Sequence, residues 1–481
     1  MIENFDSSLL LEPQIEHAKK LCESLISQSI AADLSGTGTG KTFVACSILR
    51  HLKKRFIVVC PKLNIPKWRM VSSQFGVTPE FVVNYEKLAR GNLKKYYRYK
   101  VKGQKNIPCF LRGEFKIPKD WIVVLDESHR TKGVESLQAG MLFALKSQGY
   151  SVLCLSATQA MTPMDMRAFG FATNLHKGMH FIGGRGQNNG MNLFKQFCEK
   201  AGAKYVGHWG AMYFDSEDAE SVSKLQEVRN NLFNVQKIAS RMNREDFGDI
   251  FPKNQIEATA YDMGENGIKI GHVYNDMAAE IARLEDRCKD YALHVLAIIT
   301  RARRMAELLK VPSLCELTED LYDEGKSVLI FVNYADSIEA LVTRLSKKFG
   351  ADKIAQIHGG VTTRQRLEDI EAFQTDKKRI TVANLAAGGE SIDLHDITGK
   401  HPRASLINPS YRAIAVLQSI GRHDRAYAKS DCLTNLVLAD GTIETNVARN
   451  FNGKRGHLDI LNDGDLVPNG PAFRFVSGMN I

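Results

Sequence analysis

Short, almost uninterrupted apolar runs alternate with longer stretches of helical periodicity over residues 30–175. Such runs are typical of strands that are buried on both faces of a parallel sheet. Apolar side chains at helical spacing also precede the first run, over residues 8–28, and Pro13 suits the first turn of that helix. The alternation therefore predicts a doubly wound α/β domain. Its predicted strands are Ile30–Leu34, Phe56–Cys60, Phe81–Val83, Trp121–Leu125 and Ser151–Leu155.

A second alternation of the same kind begins near residue 327, after a region of different character. That region, residues 176–320, has a Gly- and Asn-rich loop at 183–190 and helical patterns at 191–202, 217–242 and 272–310. The second alternation predicts another parallel sheet. Its predicted strands are Ser327–Asn333, Ile354–Ile357, Arg379–Ala383 and Ala404–Ile407.

These patterns predict three parts of the chain. Residues 1–250 form a first lobe, with a helical protrusion over about 176–250. Residues 251–320 form a hinge and a helical insertion, and residues 321–481 form a second lobe.

An eight-residue segment, SGTGTGKT at Ser35–Thr42, lies between the first predicted strand and the helical pattern that follows it. Its glycines allow the backbone to turn tightly and to direct N–H groups toward phosphate oxygens. Lys41 is placed to reach the outer phosphates, and the Thr42 hydroxyl is a ligand for Mg²⁺. A glycine-rich turn with a surface lysine is the alternative, but the flanking strand and helix favour a nucleotide-binding loop.

Two carboxylates, Asp126 and Glu127, follow a predicted strand at the sheet edge where open α/β folds place their ligands. Asp126 can hold Mg²⁺ through its water shell, as acidic residues do in phosphoryl-transfer sites. Glu127 can orient and deprotonate an attacking water. Such a pair is a weak signal alone and a strong one about 85 residues after a phosphate loop.

The second half of the chain has no phosphate loop, but it supplies polar residues that suit the same chemistry. Gln418, Arg422 and Arg425 occur in the segment QSIGRHDR. Arginines three residues apart share a face when they lie on a helix. Arginine side chains supplied to a γ-phosphate stabilise the charge that develops there. A surface helix face is the alternative, and the phosphate loop in the first half favours the catalytic role.

Two further signals are weaker. The amide of Gln14 presents a donor and an acceptor, which match an adenine edge, although most such glutamines are simply solvated. Ser156 and Thr158 follow the predicted strand Ser151–Leu155, where they form either a turn or a relay between the nucleotide and a second ligand.

Composition narrows the range of partners. The chain has 481 residues and a formal charge of +10, which suits a polyanion such as nucleic acid and also fits plain solubility.

Its nine cysteines include no C-x-x-C pair, so neither a zinc site nor a disulfide framework is predicted. Neither a secretory signal nor an apolar run near the ~18 residues of a membrane span is visible. We expect a protein of a reducing compartment that is neither secreted nor membrane-bound.

Residues Lys87–Lys105 form a strongly basic stretch with interleaved tyrosines. Cations and aromatic rings together can contact phosphates and stack on bases. A solvated loop explains the same composition equally well.

Taken in order, these segments resemble the motifs of superfamily 2 helicases and translocases, and more narrowly those of the Swi/Snf-type branch. The resemblance extends from about residue 8 to about residue 445. DESHRTKG at 126–133 and RMNREDF…FPK at 241–253 are similar to Swi/Snf-type signatures in particular, and residues 304–425 resemble the second lobe of annealing helicases and fork remodellers. The matching segments are PQ at 13–14, SGTGTGKT at 35–42, VVCPK at 58–62, NYEKL at 84–88, DESH at 126–129, SAT at 156–158, IHGG at 357–360, NLAAGGESIDL at 384–394 and QSIGRHDR at 418–425.

The resemblance implies an α/β fold of two RecA-like parallel-sheet lobes with helical insertions between them, and it implies ATP and Mg²⁺ as ligands. The implied catalytic residues are Lys41, Asp126, Glu127, Gln418, Arg422 and Arg425. The implied nucleotide-binding residues are Gln14, Gly36, Thr37, Gly38, Thr39, Gly40, Lys41, Thr42, Gly389 and Asp393, with Thr42 and Asp126 at the metal. The implied nucleic-acid contacts are Lys62, Trp68, Ser156, Thr158, His358, Gly359, Asn384 and Gly388.

We therefore expect an ATP-dependent DNA translocase or helicase that unwinds, anneals or branch-migrates DNA. Its expected partners are single-stranded, duplex or branched DNA and proteins of replication, recombination or transcription, with the chain acting as a monomer. Two departures from the family pattern narrow this picture: QSIGRHDRAY lacks the usual residues after the second arginine, and no chromatin-reader or zinc domain is recognisable. They favour a minimal viral or bacterial motor in the cytoplasm, nucleoid or host-cell cytoplasm.

Three alternatives stay open from the sequence. The first alternative is a motor that moves on RNA instead of DNA, and the DESH and Swi/Snf-like segments disfavour it. In the second, the ATPase gates or displaces a polymerase or nuclease without translocating. A small-molecule kinase is the third, and it leaves the motifs of the second lobe without a role.

Overall fold

The computed structural model of the chain forms two compact units. We call Met1–Gly248 with Lys454–Asn469 the first domain, and Asp249–Gly453 with Gly470–Ile481 the second domain. The residues whose structure is described are 2, 5–90, 93, 95–99, 113–132, 136–177, 189–206, 211–215, 218–284, 291–385, 392–410, 413–445 and 474–480.

The main sheet of the first domain is parallel and runs in the order β10-β1-β7-β6-β2-β3. β1, β2 and β6 are buried along their whole length and β7 along all but its first residue, as their apolar sequences predict. Two smaller antiparallel pairs, β4 with β5 and β8 with β9, lie outside this sheet. The strands are β1 (Ile30–Asp33), β2 (Phe56–Cys60), β3 (Phe81–Asn84), β4 (Tyr97–Tyr99), β5 (Gly113–Phe115), β6 (Ile122–Asp126), β7 (Ser151–Leu155), β8 (Ala203–Val206), β9 (Ala211–Phe214) and β10 (Ala239–Ser240).

Helices connect these parallel strands, as crossover connections require. Short 3₁₀ turns occur at Lys62–Asn64, Ser128–Lys132, Pro163–Met166 and Glu245–Ile250. The α-helices of the first domain are α1 (Glu12–Gln28), α2 (Lys41–Leu52), α3 (Ile65–Gln74), α4 (Tyr85–Ala89), α5 (Leu137–Ser147), α6 (Arg167–Ala172), α7 (Asn189–Lys200) and α8 (Ala219–Asn230).

The predicted helix over residues 217–242 is wrong in its second half. α8 ends at Asn230, a π-helical turn covers Asn231–Val235, and Ala239–Ser240 pair with β1 as the edge strand β10. Ile238 is fully buried in the core of the domain. A two-residue strand has no periodicity of its own, so its partner in the sheet decides its conformation.

The second domain is built on a seven-stranded sheet in the order β13-β14-β12-β15-β16-β11-β17. All of its strand pairs are parallel. The four predicted strands are present, and β11, β16 and β17 add to them. The strands are β11 (Asn254–Asp262), β12 (Ser327–Val332), β13 (Ile354–Ile357), β14 (Ile380–Asn384), β15 (Arg403–Ile407), β16 (Cys432–Ala439) and β17 (Arg474–Asn480).

The region predicted as helical over 272–310 consists of two helices that pack against each other. A 3₁₀ turn lies at Ala351–Lys353. The helices of the second domain are α9 (Gly264–Ala282), α10 (Tyr291–Leu309), α11 (Val311–Asp323), α12 (Ala335–Phe349), α13 (Thr363–Gln374) and α14 (Ala413–Ile420). Within the part of the chain that is described, no helix is long and apolar enough to cross a membrane. The predicted fold class, two parallel-sheet α/β domains, is confirmed.

A buried ion pair fixes the helices of the second domain to its sheet. Lys310 is fully buried between α10 and α11, and its Nζ lies 2.8 Å from Glu444 and 2.9 Å from the carbonyl oxygen of Val437. Glu444 also accepts hydrogen bonds from Tyr274 on α9 and from the backbone of Ala439, each at 2.9 Å. Both charges are therefore paired and hydrogen-bonded, which is the condition under which burial is tolerated.

We predict that Lys310→Met lowers the free energy of unfolding of the second domain by about 3–5 kcal/mol, since Glu444 would stay buried without its partner. Urea denaturation of the full chain measures this change. Lys348→Met is the matched control, because it breaks the exposed ion pair with Glu319 and should cost far less. Equal losses in the two variants would contradict the prediction.

Candidate functional site

The phosphate loop lies between β1 and α2, at the carboxyl edge of the first sheet. Gly38 and Gly40 have φ values of 83° and 87°, a left-handed conformation that is favourable only for glycine. Gly40 is the N-cap of α2, whose first residue is Lys41. The first turn of a helix leaves N–H groups without intrahelical partners, so the loop and α2 together can bind an anion.

Lys41 lies against the loop that precedes it. Its Nζ donates to the carbonyl oxygens of Ser35 at 3.0 Å and Gly36 at 2.8 Å. Thr39 is buried and donates from its hydroxyl to the same Gly36 carbonyl at 2.9 Å. Thr37 and Thr42 are partly exposed. The positive charge is thus held beside the backbone that would surround a phosphate chain.

Gln14 contacts the loop directly. Its Nε2 donates to the carbonyl oxygen of Thr39 at 2.8 Å, and its Oε1 accepts from the backbone of Leu11 at 2.9 Å. A Cβ at Gly40 would come within 2.3 Å of Nε2, so a side chain there would displace the Gln14 amide, and the φ of 87° favours glycine in any case. The prediction that Gln14 contacts adenine stays a prediction; its observed contacts fix the start of α1 to the loop.

Asp126 ends β6 at the same level of the sheet as the start of the loop. β7 pairs with both strands, and its Leu155 lies opposite Asp33 on one side and Asp126 on the other. Two strand spacings place Asp126 roughly 10 Å from the strand that leads into the loop. The two sequence motifs therefore meet at one edge of the sheet.

The carboxylate of Asp126 is held by two donors from the segment after β2. Asn64 Nδ2 and Trp68 Nε1 each donate to Oδ2 at 2.8 Å. Burial and the neighbouring Glu127 charge raise the pKa of Asp126, while these two donors and Lys41 oppose that shift. None of the described residues donates to Oδ1, so that oxygen is left for a ligand.

Glu127 has a strained backbone. Its φ is 55°, which is uncommon for a residue with a side chain and is often found at functional positions. Its Oε2 lies 3.2 Å from His129 Nδ1, and its side chain keeps 15% of its exposure.

The SAT segment contacts the DESH segment through His129. His129 Nδ1 lies 3.1 Å from the hydroxyl of Ser156, which also accepts from the backbone N–H of Thr158 at 3.2 Å. These contacts join the two segments, and the relay stays a prediction. Ser156 is fully buried and Thr158 is 5% exposed, so in this structure neither side chain offers a surface to nucleic acid.

Trp68 also differs from the expected arrangement. Its side chain is fully buried, and its indole N–H is bound to Asp126. It therefore positions the carboxylate and has no exposed ring face on which a base could stack. Lys62, by contrast, is exposed at the start of the 3₁₀ turn after β2.

In the second domain, the two arginines do not lie on one helix face. α14 ends at Ile420, and Arg422 and Arg425 follow it in a turn. Both guanidinium groups donate to the carbonyl oxygen of Ile392, at 3.2 Å and 3.4 Å. Because Gly421 ends the helix and the chain then folds against residues 392–394, a shared carbonyl rather than helical spacing brings the arginines together.

The two arginines differ in how far their side chains are exposed to solvent. Arg422 is 1% exposed, whereas the Arg425 side chain keeps 13% and lies 3.2 Å from Asp393. Asp393 was predicted to contact the nucleotide, and its observed partner is Arg425. Gln418 is buried on α14 at 6% exposure.

The remaining predicted nucleic-acid residues of the second domain follow its strands. His358 Nε2 lies 3.1 Å from Gln356 Oε1, and burial together with Arg366 lowers the pKa of His358. Gly359 is exposed beside it, and Asn384 donates to the carbonyl oxygen of Asn333 at 2.9 Å. Outside the described residues lie Gly388, Gly389, loop positions 183–188 and Lys94, Lys100, Lys102 and Lys105 of the basic stretch.

Sequence reasoning missed several residues that build the site. Asn64 and His17 lie in ordinary helical or turn sequences, and only their buried contacts with Asp126 and Asp33 show their importance. His423 lies between the two arginines in the sequence and is buried. Its Nδ1 lies 2.9 Å from the hydroxyl of Ser405, and its Nε2 lies 3.1 Å from the hydroxyl of Thr434. The spacing of Asn64 and Trp68, four residues apart as on one helix face, was the available signal.

Two family models match the chain. Residues 309–426 match a model described as helicase conserved C-terminal domain, and residues 9–161 match one described as type III restriction enzyme, res subunit. A protein of Acanthamoeba polyphaga mimivirus, which carries the name of an ATP-dependent RNA helicase, is 31% identical over 486 aligned residues. The alignment covers 97% of this chain and 86% of that relative.

Two solved structures are similar over most of their length. The SWI2/SNF2 ATPase core of Sulfolobus solfataricus in complex with double-stranded DNA has a TM-score of 0.37 and 16% identity, covering 97% of this chain and 96% of that one. S. cerevisiae Dbp5 bound to RNA and ADP BeF3 has a TM-score of 0.49 and 11% identity, covering 99% and 96%. Both TM-scores are below 0.5, so the family assignment rests on the two family models and the viral relative.

We predict that acid destabilises the second domain through His423. Burial, Arg403 and Arg425 lower the pKa of His423 to about 3. The unfolded state binds a proton near pH 6.5, so stability should fall as the pH drops below that value, by about 2 kcal/mol between pH 7 and pH 5 from this group. Denaturation of the wild type and of His423→Gln at both pH values measures the difference. The same pH dependence in both proteins would contradict the assignment.

Proposed function

The chain belongs to the superfamily 2 helicases, and on that basis we propose that it is an ATP-driven motor that translocates on DNA. It would couple hydrolysis to the remodelling of duplex, forked or branched DNA, by unwinding, annealing or branch migration. A motor of this kind would serve DNA replication, recombination or repair, in contact with proteins of those processes.

One observation carries the enzymatic part of the proposal. The phosphate loop, with left-handed Gly38 and Gly40, shares a sheet edge with the strained Glu127 and the buried Asp126. Nucleotide binding and water activation require groups that converge in this way. A small-molecule kinase would need the same loop but would give no role to Arg422 and Arg425.

The residue roles follow from the contacts. Lys41 would release the loop carbonyls to bind the outer phosphates, and Glu127 would orient the attacking water with His129 holding its carboxylate. Arg425 is the better candidate for stabilising charge on the γ-phosphate, since it is more exposed than Arg422 and its pairing with Asp393 can be exchanged for a phosphate. Arg422, buried on Ile392, would hold that turn in place.

Asp126 Oδ1 and the Thr42 hydroxyl are hard oxygen ligands that fit Mg²⁺. Among the described residues, no group of three or more His, Cys, Asp or Glu side chains could hold a metal by itself. Mg²⁺ therefore fits here only together with the nucleotide phosphates, which is its usual mode of binding. When bound, it would neutralise charge on the transferred phosphoryl group.

The proposal of DNA as the track rests on the Swi/Snf-like segments at 126–133 and 241–253 and on the net charge of +10. RNA is the second candidate, because the mimivirus relative carries the name of an RNA helicase. Contacts with the phosphate backbone would give either track little sequence specificity and a strong dependence on salt.

We predict that DNA stimulates ATP hydrolysis at least tenfold more than RNA of the same sequence, and that the motor displaces a triplex-forming strand. The tracks to compare are single-stranded, duplex, forked and four-way DNA and matched RNA. Lys41→Ala and Glu127→Gln should each reduce stimulated hydrolysis by roughly 10²- to 10⁴-fold.

Each other result has a distinct meaning. Stimulated hydrolysis that survives in Lys41→Ala or Glu127→Gln would sink the catalytic assignment. Stronger stimulation by RNA would establish the second candidate. Hydrolysis without strand displacement would indicate an ATPase that gates a polymerase or nuclease.

We also predict that Trp68→Phe lowers hydrolysis at neutral pH and moves the acid limb of its pH profile to higher pH. The variant keeps the buried ring but removes one of the two donors to Asp126, and the pKa of this carboxyl should therefore rise further. Met70→Leu on the exposed face of α3 is the control, since its side chain is 55% exposed. An unchanged acid limb in Trp68→Phe would argue against this role.

A further inference from the structure

A buried hydrogen-bond network lies beneath the phosphate loop and centres on His17, a residue to which none of the motifs gives a role. His17 is 4% exposed, and Asp33 and Ser35 are fully buried. The network joins α1, the end of β1, the first residue of the loop and β10. It therefore connects elements that are far apart in the sequence.

The geometry fixes which atoms bind. His17 Nε2 lies 3.1 Å from Asp33 Oδ1 and 3.2 Å from the hydroxyl of Ser35, and Asp33 Oδ1 accepts the Ser35 backbone N–H at 3.0 Å. A His17 ring with its proton on Nε2 would donate toward the Asp33 carboxylate, which can only accept. His17 Nδ1 lies 2.8 Å from the hydroxyl of Ser240 on β10.

Charge supports this arrangement. Burial alone would raise the pKa of Asp33, but His17, Lys41 and the Ser35 hydrogen bond together hold that pKa below its ordinary value. Asp33 is thus a buried carboxylate whose charge depends on His17. Removal of His17 would leave that charge without its main partner.

Backbone bonds extend the network toward the end of the domain. Leu34 N–H donates to the Ser240 carbonyl at 2.9 Å, and Gly36 N–H donates to the Met242 carbonyl at 3.0 Å. Met242 N–H in turn donates to the Ser35 hydroxyl at 3.0 Å. The first turn of the loop is therefore bound on both sides by residues 240–242, and the first long segment of the first domain ends at Gly248.

We propose that His17 and Ser35 are positioning residues of the phosphate loop, which hold its first turn against residues 240–242. Nucleotide binding is thereby coupled to the segment through which the chain leaves the first domain. The inference rests on the proposed function in one respect, that the loop binds ATP. A loop ordered before binding loses less conformational entropy when it binds, so the network should contribute to affinity for the nucleotide.

A purely structural role is the competing explanation, since the network also joins α1 to the sheet. Ser24 offers a matched control. It lies on the same helix, is 3% exposed, and donates from its hydroxyl to the Ile30 carbonyl at 2.7 Å, at the other end of β1. Ser24→Ala removes a buried bond between the same two elements without touching the loop.

The experiment measures the affinity of a fluorescent ATP analogue, the KM and kcat for ATP, and the melting temperature of each variant. We expect Kd and KM to rise roughly three- to tenfold in His17→Ala and Ser35→Ala, with little change in kcat. Ser240→Ala should show a smaller rise, and it serves as the test if His17→Ala does not fold. His17→Gln keeps a donor and an acceptor and should recover most of the affinity.

Hydrogen exchange adds a readout that a structural bond would not change. In the wild type, the ATP analogue should slow exchange at the amides of Gly36 and Met242, and in Ser35→Ala the Met242 effect should be lost. Two results would overturn the proposal. The first is that Kd and KM for ATP in His17→Ala and Ser240→Ala equal those of the Ser24→Ala control. The second is that the wild type binds the nucleotide without protection of the Met242 amide. These measurements require neither nucleic acid nor translocation. They therefore test this inference even if the chain binds ATP but does not translocate on DNA.

Discussion

Two buried carboxylates at one edge of a parallel sheet impose the main constraint on the first domain. Asp33 on β1 and Asp126 on β6 lie at the same level on either side of β7, and each is almost fully enclosed. A buried charge is tolerated only when donors satisfy it, so the surrounding elements must supply those donors. Asn64 and Trp68 supply them for Asp126, and His17 and Ser35 supply them for Asp33. The positions of α1, α3 and the phosphate loop are thereby linked to the same requirement.

The second domain satisfies the same requirement with different residues. Glu307 on α10 is 1% exposed and accepts hydrogen bonds from the backbone and side chain of Asn333, the backbone of Tyr334 and the side chain of Asn408. Together with the Lys310–Glu444 pair, it fixes α10 to the carboxyl ends of β12 and β15. Because these bonds are buried and mutually dependent, α9 and α10 are joined firmly to their sheet.

The sequence predicted the elements whose signal is local, and it failed where the decisive contact is distant. Continuous apolar runs located nine strands, most of them buried, since a strand covered on both faces has little room for polar residues. The strand at Ala239–Ser240 was mistaken for helix because only pairing with β1 makes it extended. The family resemblance implied that Trp68 contacts nucleic acid, yet its indole binds the carboxylate of Asp126, 58 residues later in the sequence. Arg422 and Arg425, which would share a face on a helix, lie beyond the helix that ends at Ile420.

By itself, the sequence determined the two parallel sheets, the phosphate loop and the identities of the groups that suit ATP hydrolysis. Glycine spacing and apolar runs suffice for this, because backbone conformation and burial follow from residues close together in the chain. The tertiary structure decided how those groups are held: which donors keep Asp126 in place, how Glu127 is turned out of its strand, and how His17 connects the loop to residues 240–242. Such contacts join residues up to 223 positions apart, and no local pattern encodes a pairing over that distance.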